Sequence, residues 1–239
     1  VYALILHRFP EVGRYKDMNM RAVNGTPIPV TLCHNNPHVR QFYKCLVDHL
    51  DAKYELDGFC FALLNHYSLF GFQSLTDELA DTLGVKKFSN PEMGLSCFCD
   101  VCVQEAQVKG IDVEKIRKGV LKGIEMGYIP TRIEKMKTAD EAIRFLLDIP
   151  EYLDWLKFRS EIMARLHQNL YDQIKEKNKS YEVGLDIYGA QDDWKYQTCF
   201  TELARCCDWI KPMFYSSTYK EPLSPKEIGA GVKLAKELS

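Results

Sequence analysis

The segment Ser96-Cys97-Phe98-Cys99-Asp100-Val101-Cys102 places three thiols within six residues, just ahead of a helical run over 103–109. Thiols this close cannot all pair with one another as unstrained disulfides, whereas as thiolates they suit a soft, tetrahedral metal ion. A fourth ligand must come from elsewhere. Cys33, in Leu32-Cys33-His34-Asn35-Asn36-Pro37 ahead of a helix, is the best-placed candidate. Four thiolates at about 2.3 Å would fill the shell of a zinc ion and leave no position for water. Such a centre is structural: it ties two long loops together and does no chemistry itself. Buried thiols without metal, an iron–sulfur cluster and a reactive redox or metal-sensing cluster are the competing readings of the same residues.

The rest of the composition restricts what these thiols can serve. The chain has 239 residues, 46% of them hydrophobic and 27% charged, which suits one large or two small globular domains. The net charge of −2 and a pI of about 6.3 give no basic field for nucleic acid or an anionic membrane. No apolar run reaches membrane-spanning length, and the opening residues are not expected to be a signal peptide. Nine cysteines in a chain this long do not form a small secreted disulfide scaffold, so a reducing, cytoplasmic compartment is expected. Cys45 and Cys60, in an expected helix and strand, read as small buried hydrophobes. The chain starts inside an apolar run, Val1-Tyr2-Ala3-Leu4-Ile5-Leu6, as an internal piece of a longer protein would. A homo-oligomer stays open.

Strand-like and helix-like runs alternate. Strands are expected over 1–7, 56–64, 181–187 and 209–215. The stretch between the first strand and Asn36 reads as a polar loop with Asn24-Gly25 and two prolines. Asn36 caps a helix with Pro37 at its first position, reaching residue 54. Further helices are expected over 75–83, 112–126, 138–147, 151–176, 201–207 and 224–238. Strand–helix alternation implies a parallel sheet with helices outside. Four such units make half of an eight-unit (β/α)8 TIM barrel, so residues 1–239 are expected to be an internal fragment of one barrel domain bearing a zinc-binding loop insertion. An open, doubly wound sheet is the alternative. The barrel is preferred because polar residues and insertions cluster at the carboxyl ends of the strands, which form the active face of a barrel. Gly229-Ala230-Gly231 lies within a helical pattern and is no phosphate loop.

The order Cys33-His34-Asn35-Asn36-Pro37-His38-Val39-Arg40, then a strand, then Cys97-x-Cys99-x-x-Cys102, then Gly110-Ile111-Asp112, resembles glycoside hydrolases. It is similar to family 42 β-galactosidases and to related glycoside-hydrolase-like barrels, over roughly residues 1–125. The resemblance implies that Cys33, Cys97, Cys99 and Cys102 share one zinc ion, and that the partner is a carbohydrate substrate, with no nucleic acid or membrane. It implies a general acid/base glutamate at the end of the strand between the cysteines, but the residue there is Ala62, after Phe61. An alanine transfers no proton. The chain therefore lacks that acid, by nature or by replacement, or a neighbour such as His66 takes the role. The second carboxylate of the family is expected on a strand beyond Ser239.

Glycoside hydrolysis needs one group to protonate the leaving oxygen and another to meet the oxocarbenium-like centre, both at the carboxyl ends of barrel strands. On that chemistry the catalytic position is Ala62, with His66 and Asp186 as candidate acid or base. His7, Asn65, Trp194, Lys211 and Tyr215 are candidate substrate contacts, Trp194 as a platform for a sugar face. Each has a plainer reading as a strand-end cap, a solvated charge or a surface anchor. Trp155 and Trp209 are expected in the core. The function expected is hydrolysis of O-glycosidic bonds in this chain or an inactive form of it; the alternative is a non-catalytic carbohydrate-binding barrel or zinc-stabilised scaffold.

Overall fold

The computed structural model describes residues 1–6, 15–62, 64, 96–125, 147, 149–190, 198–213 and 224–238. By contacts the chain divides into two compact units. The first comprises Val1–His7, Arg40–Asn65 and Ser160–Ser239; the second comprises Arg8–Val39 and His66–Arg159. The expected helix over 75–83 lies outside the described residues, as does that over 138–147 apart from Leu147.

The first unit is a parallel sheet with helices. Its strands are β1 (Tyr2–Leu6), β4 (Gly58–Ala62), β5 (Glu182–Ile187) and β6 (Trp209–Pro212), in the spatial order β1-β4-β5-β6, every pair parallel. Among the described strands of this sheet, chain order equals spatial order, without the reversal a doubly wound sheet requires. Residues paired across strands share a face. One face carries Ile5, Phe59, Phe61, Val183, Leu185 and Ile187, all buried. Helix α1 (Pro37–Lys53) from Arg40 onward and α4 (Tyr152–Lys177) from Ser160 onward belong to this unit and are tied to each other: Gln173 Nε2 donates to the Asp48 carboxylate at 2.8 Å, and Lys177 Nζ lies 2.9 Å from the same residue. Phe61 meets the His167 ring edge-on, which seats α4 on β4.

The opposite face is built in rows. Tyr2, Gly58 and Glu182 form one; Leu4, Cys60, Gly184 and Trp209 the next; Ala62, Asp186 and Lys211 a third, at the carboxyl ends. The glycines are steric necessities. A Cβ on Gly58 would lie 2.0 Å from the Glu182 carbonyl oxygen, and one on Gly184 would enter the Trp209 ring at 2.1 Å. Trp209 therefore lies across Gly184, half-buried rather than in the core, and meets Tyr2 edge-on at 5.9 Å. Helices α5 (Phe200–Ala204) and α6 (Pro225–Leu238) flank β6 in sequence. α6 opens on a capping box: Ser224 Oγ accepts from the Glu227 amide, and the Glu227 carboxylate accepts from the Ser224 amide.

The second unit departs from the sequence expectation. The stretch expected as a polar loop contains an antiparallel hairpin, β2 (Asn19–Arg21) and β3 (Pro27–Leu32). Asn24-Gly25 is its turn: Gly25 adopts φ +84°, and the Ala22 amide donates to the Thr26 carbonyl at 2.9 Å. Helix α2 (Asp100–Val108) ends in a Schellman motif, with Gly110 at φ +79°, its amide on the Gln107 carbonyl and that of Ile111 on the Ala106 carbonyl. Asp112 then caps α3 (Val113–Glu125) by accepting from the Lys115 amide at 3.0 Å. Val113, Ile116 and Val120 form the buried stripe of α3, and Trp155 is fully buried, as expected.

Candidate metal centre and candidate active row

The hairpin does the positioning. The Cys33 amide donates to the Met18 carbonyl at 2.8 Å, fixing Cys33 at the end of β3. Asn36 closes the next turn: its Oδ1 accepts from the His38 amide, capping α1, and its Nδ2 donates to the Asp17 carbonyl, both at 2.8 Å. On the other side, the Phe98 amide donates to the Arg21 carbonyl at 2.8 Å and the Arg21 amide to Cys97 Sγ at 3.2 Å. The cysteine segment is thus added to the edge of β2. Cys99 is the N-cap of α2, and Cys102 lies in its first turn.

Consequently Cys33, Cys97, Cys99 and Cys102 converge. All four are buried, and their sulfurs lie within 4.8 Å of one another. Cys33 Sγ is 3.5 Å from both Cys99 Sγ and Cys102 Sγ. That is far beyond a disulfide bond, but close to the edge of about 3.8 Å that a tetrahedron with metal–sulfur distances of about 2.3 Å requires. The donor set, all sulfur and all shielded from water, fits a soft metal ion. Hydrogen bonds from the Cys102 and Cys33 thiols hold Cys99 far below the ordinary thiol range; hydrogen bonding to Cys33, Cys97 and Cys99, with burial, pushes Cys102 well up. Thiolate is the form that binds a soft cation, so these residues would hold one through their sulfurs.

Around the centre, the Phe98 ring stacks on Trp155 with centroids 4.7 Å apart and planes 13° from parallel. The Arg117 guanidinium sits 5.7 Å from the Phe98 ring centre. Trp155 in turn packs on Phe158. Of the remaining cysteines, Cys60 is buried as expected, but Cys45 is exposed on α1. Position on a helix alone does not decide burial; Cys45 lies off the Val39, Tyr43 and Val47 stripe.

The second candidate is the row at the carboxyl ends of the sheet. Ala62, Asp186 and Lys211 are neighbours in register, and Ala62 is buried. One Asp186 oxygen accepts from Lys211 Nζ at 2.5 Å. The other, Oδ1, is buried and meets no hydrogen-bond donor among the described residues. Lys211 is more than half exposed, so the pair has one dry and one wet partner. The other expected contacts, His7, Asn65, His66, Trp194 and Tyr215, lie outside the described residues. A cavity of about 380 Å³ lies apart from this row's reactive groups, lined by Phe200, Cys207, Trp209, Val232 and Ala235 among others.

Sequence reasoning missed two positioning features. The hairpin carried a signal, Asn24-Gly25 between apolar runs, but Pro27 and Pro29 argued against a strand. Arg159, buried in α4 one turn beyond Trp155, carried none beyond its helical phase with Trp155.

No protein-family model matches the sequence, and no curated protein sequence matches it. Solved structures do match. The PgaB (BpsB) glycoside hydrolase domain from Bordetella bronchiseptica superposes with a TM-score of 0.60 at 13% identity, covering 99% of this chain and 57% of that domain. A beta-galactosidase from Bacillus circulans sp. alkalophilus superposes at 0.54 and 15% identity, covering 100% of this chain and 33% of that enzyme. The likeness is one of fold. The chain spans about half of the first structure and a third of the second, and its parallel α/β architecture matches part of each. No helix among the described residues is long and apolar enough to cross a membrane.

Proposed function

We propose that residues 1–239 form part of a (β/α)8 glycoside hydrolase domain of the family 42 type, that Cys33, Cys97, Cys99 and Cys102 hold a structural zinc ion, and that the carboxyl-end row faces a carbohydrate. The observation that carries the reading is the buried Asp186 carboxylate, with one oxygen on Lys211 and one open acceptor, beside Ala62 where the resemblance calls for the acid. In this reading Asp186 accepts a sugar hydroxyl or acts as a base. Lys211 holds its other oxygen in the 2.5 Å ion pair. His66, in the residues just after β4, is the candidate proton donor, and His7, Asn65, Trp194 and Tyr215 contact the sugar. Zinc supplies rigidity; a shell filled by four sulfurs leaves it no open position for catalysis.

Replacing Ala62 with glutamate tests the assignment. Ala62→Glu should raise turnover of chromogenic β-galactosides and related glycosides by on the order of 100-fold, the usual effect of a positioned acid. Asp186→Asn in that background should abolish the gain. Absence of any gain in a folded, metal-loaded Ala62→Glu protein removes the acid assignment. Ala62 itself favours a second reading, a non-catalytic carbohydrate-binding barrel. Oligosaccharide binding without turnover, weakened by Asp186→Asn and unaltered in rate by Ala62→Glu, distinguishes it.

A further inference from the structure

Four thiolates and one divalent ion leave two units of negative charge in a site that water does not reach. A buried charge of that size needs a compensating charge close by. The described structure offers the Arg21 amide on Cys97 and the N-terminus of α2 under Cys99. Neither carries a full charge.

We propose that Arg159 is the buried counter-charge of the four-cysteine centre, a positioning residue that lets the metal–thiolate group sit in a dry interior. Arg159 is 1% exposed on α4, one turn beyond Trp155. Trp155 stacks on Phe98, and Phe98 stands between the ligands Cys97 and Cys99. Trp155 faces the ligand segment, and Arg159, four residues on, shares that face of α4. The guanidinium's surroundings agree: burial pushes its pKa down, while Tyr152 and the sulfurs of Cys97 and Cys102 push it back up. Arginine stays protonated even there, so the positive charge is permanent. Arg117 does not compete for the role, because it is about a third exposed and its charge is screened by solvent.

The inference rests on the metal reading, and the experiment separates the two. Zinc affinity of the 239-residue chain is measured by competition with a chromophoric chelator, and cobalt(II) absorption reports the coordination. Arg159→Met, similar in volume and uncharged, should raise the zinc dissociation constant by about 10- to 100-fold, the usual cost of an outer-shell change. Arg159→Lys should recover affinity to within about threefold, and Arg117→Met should change it less than about twofold. Cys97→His removes one negative charge; in that background Arg159→Met should cost little, and folding of a poorly folding Arg159→Met protein should be rescued. Equal zinc affinity in wild type, Arg159→Met and Arg159→Lys overturns the assignment. So does an Arg159→Met defect that neither lysine nor Cys97→His repairs. A wild-type chain that binds neither zinc nor cobalt refutes the metal reading instead.

Discussion

His167 shows how a single buried side chain sets a pH limit. Its Nε2–H donates to the Leu64 carbonyl at 2.9 Å, while Nδ1 is buried and meets no donor among the described residues. Burial pushes its pKa down to about 4, against the smaller opposing pull of the Leu64 carbonyl. The unfolded chain, with an ordinary histidine near pH 6.5, takes up the proton more readily than the folded one. The neutral ring's contribution is therefore whole above about pH 6.5 and is lost as pH falls towards 4, about 3 kcal/mol in all. Denaturant titrations at pH 7 and pH 4.5 should show that loss in the wild type and much less of it in His167→Gln. An unchanged pH slope in the variant would move the acid sensitivity elsewhere. Asp186 makes a parallel point: type and strand-end position marked it in the sequence, but its one open oxygen is a fact of packing.

Elements depend on two kinds of close approach. Gly58 opens β4 where the Glu182 backbone comes too near for any side chain, so Gly58→Ala must push β4 and β5 apart. A backbone obstruction cannot rotate away, so the cost should be about 3 kcal/mol or more, read as a lower denaturant midpoint. Gly184 faces a side chain instead, and Trp209 can shift, so Gly184→Ala should cost less. A Gly58→Ala protein as stable as wild type would contradict the β4–β5 register. The hairpin is the other case. β2 holds the Cys97–Phe98 backbone and β3 delivers Cys33, so two-stranded pairing places four ligands from two distant segments. Cys99→Ser leaves the pairing but removes a ligand at the α2 N-cap. It should abolish tight metal binding and lower Tm by roughly 5 °C or more. Unaltered metal content and Tm would dissolve the centre.

At the scale of the whole chain, the thiol centre and the parallel sheet fall in different compact units. A strong chelator should therefore act unevenly. Amide exchange should quicken across β2, β3, the Cys97–Cys102 turn and α2, while β4 and β5 keep their protection. Uniform loss of protection would mean that metal and sheet form one cooperative block. The sequence by itself determined the element rhythm, the parallel sheet, the cap at Asn36, the helix starts near residues 112 and 224, and the candidate group Cys33, Cys97, Cys99 and Cys102, because periodicity and cap chemistry are local and thiols announce themselves by type. Only the tertiary structure decided that residues 19–32 pair as a hairpin, that Trp209 lies across Gly184, that one Asp186 oxygen stays open beside Ala62, and that Arg159 is buried one turn beyond Trp155. Those depend on what lies across space from each residue, and burial, close approach and charge compensation have no fixed spacing along a chain.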